Sequence, residues 1–172
     1  MPLDAVDKGQ KDTETEEMRN KREAILAASP APQIFKLRSR KLKQGRTNYH
    51  CAETENMWLN MKVYAGGGEN GLHNHTDEDH FHLVLQGTAC FYGPRGEEKH
   101  LGPWEGVLLP KGCFYRFLAT SEENLVLLRV GCKAGEADDG RFNIYGDPIP
   151  SDTKENGRVD VSYDEGYWGP KE

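Results

Sequence analysis

Cysteine is scarce in this chain, with four in 172 residues. Cys51, Cys90, Cys113 and Cys132 stand far apart with no Cys-x-x-Cys pair, which excludes the dense disulfide framework of small secreted domains. Reduced, structural thiols are the expectation. Long apolar runs are also missing: residues 106–110 and 125–130 are among the longest, far short of the roughly 20 that a membrane-spanning helix needs. Basic charge is in deficit, since 22 Lys and Arg against 28 Asp and Glu leave a net charge of -6. With a pI near 5.6, the balance disfavours nucleic acid or an anionic membrane as the main partner. The basic set Lys36, Arg38, Arg40, Lys41, Lys43 and Arg46 has no interleaved aromatic stacking residues and reads as a solvated strand face and turn. There is no internal repeat and no low-complexity tract. The opening residues carry neither an apolar h-region nor a small-residue cleavage site, so a cytoplasmic location is expected.

What is present is one domain's worth of chain, large enough to bury a core without staples. With 36% hydrophobic and 29% charged residues, the middle of the chain must supply that core while the ends stay wet. Three segments follow: a polar arm over 1–32, a barrel-forming region over 33–132 and a polar tail over 133–172. In the arm, residues 14–26 hold strong helix formers with Met18, Arg22 and Ile25 on one face; Thr13 and Glu16 offer a capping box, and Ser29-Pro30-Ala31-Pro32 ends the segment. A short helix or a disordered tail both fit. Residues 33–38 alternate apolar and polar as a half-buried strand does, and residues 57–64 alternate again before the Gly66-Gly67-Gly68 turn. From there to Val130, short apolar runs at 83–85, 89–92, 107–109, 114–118 and 125–130 are separated by glycine-rich turns. That spacing predicts an all-β antiparallel sandwich or barrel. The tail has little core of its own, though Phe142, Ile144, Tyr145, Tyr163, Tyr167 and Trp168 give it anchors on the barrel or on a second subunit.

The chemistry is concentrated in His73-Asn-His75-Thr-Asp-Glu-Asp-His80-Phe-His82, which holds four of the chain's six histidines. On a strand, His73 and His75 point the same way and can close on one cation. The polar turn at 76–79 lets a second strand return alongside, with His80 at its start as the third ligand. Neutral imidazoles suit zinc, copper, iron and nickel, and three of them leave coordination positions open. His82 shares the parity of His80 and reads as third ligand, general base or polar lining. His50 and His100 receive no role.

The same residues resemble the cupin superfamily. Its first motif is read here as Gly67, five residues, His73-Asn-His75, four residues, His80, six residues, Gly87, with His80 where the family places a glutamate. Its second motif survives as Pro110-Lys-Gly112, while Trp104 stands at a glycine position, Tyr115 at the fourth ligand position and Ala119 at an asparagine position. The resemblance covers about residues 56–131. It implies a single jelly-roll barrel with a short N-terminal helix and an extended C-terminal tail. It implies a divalent ion, iron foremost with manganese, nickel or zinc as alternatives, held by His73, His75 and His80. Asp79 is the fallback carboxylate. Loss of the glutamate leaves the ion its full charge and favours anionic ligands. Tyr115 could ligate as phenolate, donate a hydrogen bond from beside the ion, or pack in the barrel; Tyr115 and His82 are the candidate catalytic groups. Phe91, Tyr92, Phe114, Phe117, Trp58 and Met61 are candidate cavity lining; Arg116 and Arg129 could meet a carboxylate, though the surface is the expected place for each. The expected function is a metal-dependent dioxygenase or other oxidoreductase acting on a small molecule. A non-catalytic ligand-binding or sensor cupin is the alternative, and a sugar isomerase or epimerase the third. Cupin barrels commonly pair, so a homodimer is expected.

Overall fold

The computed structural model describes residues 14–67, 69–133, 140–149 and 159–170. The chain divides into two units, residues 1–33 and 34–172.

The first unit contains one helix, α1 (Glu16–Ala28), with Glu16 and Glu17 in its first turn. Its N-cap is Thr15, whose extended backbone lets the hydroxyl accept from the Met18 backbone N–H at 3.2 Å. Thr13, expected to open the capping box, lies outside the described residues. Met18 and Ile25 are more than half exposed, and no residue of α1 is buried.

The second unit is all β. Its strands are β1 (Ser39–Glu53), β2 (Met57–Ala65), β3 (Asn74–His75), β4 (Glu78–Gln86), β5 (Ala89–Tyr92), β6 (Glu98–Leu101), β7 (Gly106–Leu109), β8 (Arg116–Ala119), β9 (Leu125–Lys133), β10 (Arg141–Phe142) and β11 (Ser162–Trp168). A six-stranded sheet runs β11-β1-β2-β9-β4-β7, a three-stranded sheet runs β6-β5-β8, and β10 pairs with β3. Every pairing is antiparallel. The two larger sheets face one another across a core of Tyr64, Val84, Leu109, Leu125 and Leu127 from one side and Ala89, Phe91 and Phe117 from the other. This is a jelly-roll sandwich. No helix of the described residues is long and apolar enough to cross a membrane.

The strand expected at 33–38 does not form. Ile34 is 89% exposed and the ladder begins only at Ser39, because alternation alone supplies no neighbour to pair with. β1 is instead a 15-residue strand through the basic segment, pairing with β11 at one end and β2 along the other. Arg38 stacks on Tyr167 and Arg40 on Tyr163, at 4.3 and 4.2 Å from the ring centres. The basic residues thus hold the tail strand by cation–π contact as well as facing water. Met61 lies on the outer side of the sheet in a second core cluster with Leu42, Val63, Ala65 and Val126, where Trp168 packs. It is therefore not a cavity residue.

Candidate metal centre

Strand register places the histidines. Alternate residues of β4, namely His80, His82 and Val84, are 2%, 0% and 0% exposed, so they form its inward face. Across β9 their partners are Gly131, Arg129 and Leu127, and β9 in turn pairs Gly131 with Trp58 and Arg129 with Asn60 on β2. One inward row is therefore Trp58, Gly131, His80; the next is Asn60, Arg129, His82. His73 comes from the β3 side: it exchanges backbone hydrogen bonds with Tyr115, at 3.1 and 2.9 Å, and the two rings lie 4.8 Å apart. His75 pairs with Arg141 of the tail.

The four rings converge. Centroid distances are 5.1 Å for His73 to His75, 4.1 Å for His75 to His80 and 6.1 Å for His80 to His82. His73 and His75 are 1% and 6% exposed. The His73 Nδ1–H donates to the Gly71 carbonyl at 2.7 Å, which leaves the lone pair on Nε2. That Nε2, and Nε2 of His75, are buried without a hydrogen-bond partner among the described residues. Burial drives both imidazoles to the neutral form, with the His73 pKa lowered from 6.5 to about 3 and that of His75 lowered further. Two buried imidazole nitrogens with no hydrogen-bond partner, on neutral rings 5.1 Å apart, are what a cation site needs and what an apolar core avoids.

The carboxylate of the site is Glu78. Its oxygen, the His75 and His80 ring nitrogens all lie within 4.8 Å of one another. His80 Nε2 approaches Glu78 Oε2 at 2.8 Å, and this hydrogen bond, ahead of all else, holds the Glu78 carboxyl below its usual range. Asp79 points away and accepts from the Lys111 backbone N–H at 2.8 Å, as its opposite strand parity requires. Glu78 is held on its other side by the Trp58 indole N–H, which donates to Oε1 at 3.0 Å. Trp58 reaches it by lying flat across Gly131, where any Cβ would come within 2.2 Å of the indole ring. Glycine at 131 is therefore a condition of the site.

Arg129, expected at the surface, is 6% exposed and inside the cluster. Its Nε–H donates to His82 Nε2 at 2.8 Å, and its NH2 lies 3.3 Å from His80 Nδ1. The guanidinium also sits over Trp58 at 5.4 Å. His82 thus spends its Nε2 lone pair on Arg129 and is a poor ligand from that atom; burial, then the Arg129 charge, keep it neutral. The Tyr115 hydroxyl is 3.4 Å from His80 Nδ1, and burial pushes its pKa up, so Tyr115 keeps its proton. As a phenol it can donate a hydrogen bond there. Residues 91–93, 97, 99–101, 106, 107, 109 and 113–115 line an apolar cavity of about 370 Å³. Tyr115 belongs both to that cavity and to the histidine cluster. Phe91 and Phe117 pack against His82, while Arg116 is at the surface over Tyr92.

Sequence reasoning does not reach Glu78 or Arg141, and it offers Arg129 to a carboxylate only as the lesser reading. A signal exists for Glu78, which has the parity of His80 and His82, and for Arg129, which has that of Leu125 and Leu127.

Residues 60–131 match the family model for the cupin domain. No curated protein is matched. A double-stranded β-helix domain protein from Klebsiella pneumoniae superposes with a TM-score of 0.51 at 16% identity, over 58% of this chain and 81% of that one. KdgF from Halomonas sp. gives 0.48 at 19% identity over 52% and 81%. The cupin domain of Cnp3 from Schizosaccharomyces pombe gives 0.49 at 14% over 55% and 69%. At these identities the likeness is one of fold. Motif, register and family match agree on one assignment: residues 60–131 form a cupin domain.

Proposed function

We propose that this protein is a metal-binding cupin that holds a small anionic organic molecule inside the barrel and oxidises it in a metal-dependent, dioxygen-consuming reaction. The observation that carries the reading is the pair of buried imidazole nitrogens, His73 Nε2 and His75 Nε2, that have no hydrogen-bond partner among the described residues. His75, Glu78 and His80 would hold the ion, with His73 completing the set. Bound there, a divalent ion such as ferrous iron supplies Lewis acidity and redox capacity. The protein residues supply the rest. Arg129 offers a buried guanidinium to an anionic group. Tyr115, protonated, donates a hydrogen bond where the apolar cavity meets the histidines. His82, buried and neutral, buttresses Arg129 and fixes where its fork points. The cavity, within the range for small-molecule sites, accepts the apolar body of the ligand and excludes water.

One observation favours a second reading. Arg129 already places a permanent cation against His80 and His82, so an anion could be captured with no metal at all, as in a sensor module. Elemental analysis of protein purified without chelator separates the two. Near-stoichiometric metal, lost in the His73→Ala/His75→Ala double variant, together with oxygen uptake by the iron-loaded protein on diketones, thiols or aromatic carboxylates, supports the enzyme. Metal-free protein that still binds such anions supports the module. Pairing belongs to the same proposal: edge strand β7 exposes Leu108 at 66%, and a light-scattering mass of one chain would contradict a homodimer.

A further inference from the structure

The three-stranded sheet carries a second group of metal-ligating side chains on the face away from the core. Cys90 of β5 pairs across the strands with His100 of β6, and Glu98 stands two residues before His100, on the same face. The Cys90 Sγ, a His100 ring nitrogen and a Glu98 carboxylate oxygen all lie within 4.8 Å of one another. Sγ to His100 Nε2 is 3.8 Å. For zinc, with bonds of about 2.3 Å to sulfur and about 2.0 Å to nitrogen, a tetrahedral angle sets the sulfur and nitrogen about 3.5 Å apart, so the pair needs to close by only a few tenths of an ångström.

Strand register makes this arrangement reproducible rather than accidental. In an antiparallel pair, directly opposed residues and their neighbours two along on one face form a fixed triangle. Cys90 is fully buried while His100 and Glu98 are exposed, so the thiol is the inner donor and the other two reach it from solvent. Thiolate, imidazole and carboxylate together suit a borderline-soft divalent ion. None of the three belongs to the barrel centre.

We propose that Cys90, Glu98 and His100 bind a zinc-type divalent ion that clips edge strand β6 to β5, with one coordination position open to water. Ion binding displaces the Cys90 thiol proton to solvent, forming the sulfur–metal bond without any change of oxidation state. The site is separate from the histidine cluster and stands or falls independently of the enzymatic reading.

Cobalt(II) titration of the full-length protein tests it. A thiolate-to-cobalt charge-transfer band is expected in the near ultraviolet, which a site built of imidazoles, carboxylate and phenol cannot give. The band should persist in His75→Ala and in Cys113→Ser and vanish in Cys90→Ser. Because Cys90 is buried and its replacement could unfold the sheet, exposed His100→Gln is the second variant; there cobalt affinity should fall by at least about tenfold. Zinc should raise the melting temperature of wild type more than that of His100→Gln. A wild-type protein with no thiolate band, a band that survives Cys90→Ser, or identical cobalt affinity in His100→Gln would overturn the proposal.

Discussion

The two ends of the barrel are built on the same strands and differ only in which residues occupy the inward positions. Along β4 the inward series is His80, His82, Val84, and along β9, read the other way, it is Gly131, Arg129, Leu127, Leu125. At the Val84 end the sheets meet in a closed apolar core whose members are almost wholly buried. At the His80 end the imidazoles and the Arg129 guanidinium are equally buried, with the half-buried Glu78 carboxylate beside them. Burial therefore does not separate core from site here. What does is whether each buried polar atom has a partner: His82 Nε2 and Glu78 do, while His73 Nε2 and His75 Nε2 do not. The apolar end holds the fold, and the polar end is tolerated because that end stabilises it.

If that division is right, damage at the two ends should have different signatures. The largest stability loss is expected from Leu127→Ala, at about 2–5 kcal/mol by chemical denaturation. The folded fraction should keep its ion affinity; a loss of affinity in that fraction would mean the two ends are not separable. Gly131→Ala comes next, because the added methyl group collides with Trp58. It should cost roughly 1–3 kcal/mol and also weaken metal binding by on the order of 10–100-fold, since the displaced indole releases Glu78. Unchanged metal affinity in Gly131→Ala would remove Trp58 from the account.

Acid should act on the polar end alone. A histidine held neutral in the folded state takes up its proton only on unfolding, so the unfolded chain binds more protons between the two pKa values. Stability is then full above pH 6.5 and falls as pH drops from there towards about 3, the range over which His73 resists protonation. His75, His80 and His82 act with the same sign. A His73→Gln/His82→Gln variant should show a shallower fall in melting temperature over that range, and an unaltered slope would contradict neutral buried imidazoles. The smallest effect concerns neither end. Trp104, 78% exposed, holds φ at 72°, a left-handed backbone that costs a non-glycine residue about 1–2 kcal/mol. Trp104→Gly should relieve that strain, less the greater freedom of glycine when unfolded, raising stability by about 0.5–1 kcal/mol. A lowered melting temperature would show that the indole makes a contact worth more than the strain.

Much of this was legible before the coordinates. The short-strand spacing predicts an antiparallel sandwich or barrel, and the cupin resemblance carried by the His73 to Gly87 motif implies the jelly roll and the grouping of His73, His75 and His80. The runs at 89–92 and 125–130 became β5 and β9 with little change. Reading failed where the deciding contact is long-range. The segment at 33–38 has a strand's pattern but joins no ladder, whereas the polar tail at 162–168 lacks the pattern and becomes β11 by pairing with β1, where Arg40 and the neighbouring Arg38 stack on its rings. Arg129 looked like a surface residue because charge outweighed parity; its pairing with His82 across β9 is invisible without register. Asp79, the fallback carboxylate on motif spacing, bonds the Lys111 backbone, while the pleat of β4 turns Glu78 to His80.

The central claim is that one divalent ion is held within reach of His75, Glu78 and His80. Anomalous diffraction from crystals of the iron-loaded protein tests it most directly. The account predicts a single strong peak inside the barrel among those three side chains, with His73 Nε2 turned towards it. Iron-loaded crystals with no peak there, and the histidine rings hydrogen-bonded to water or to one another instead, would contradict it.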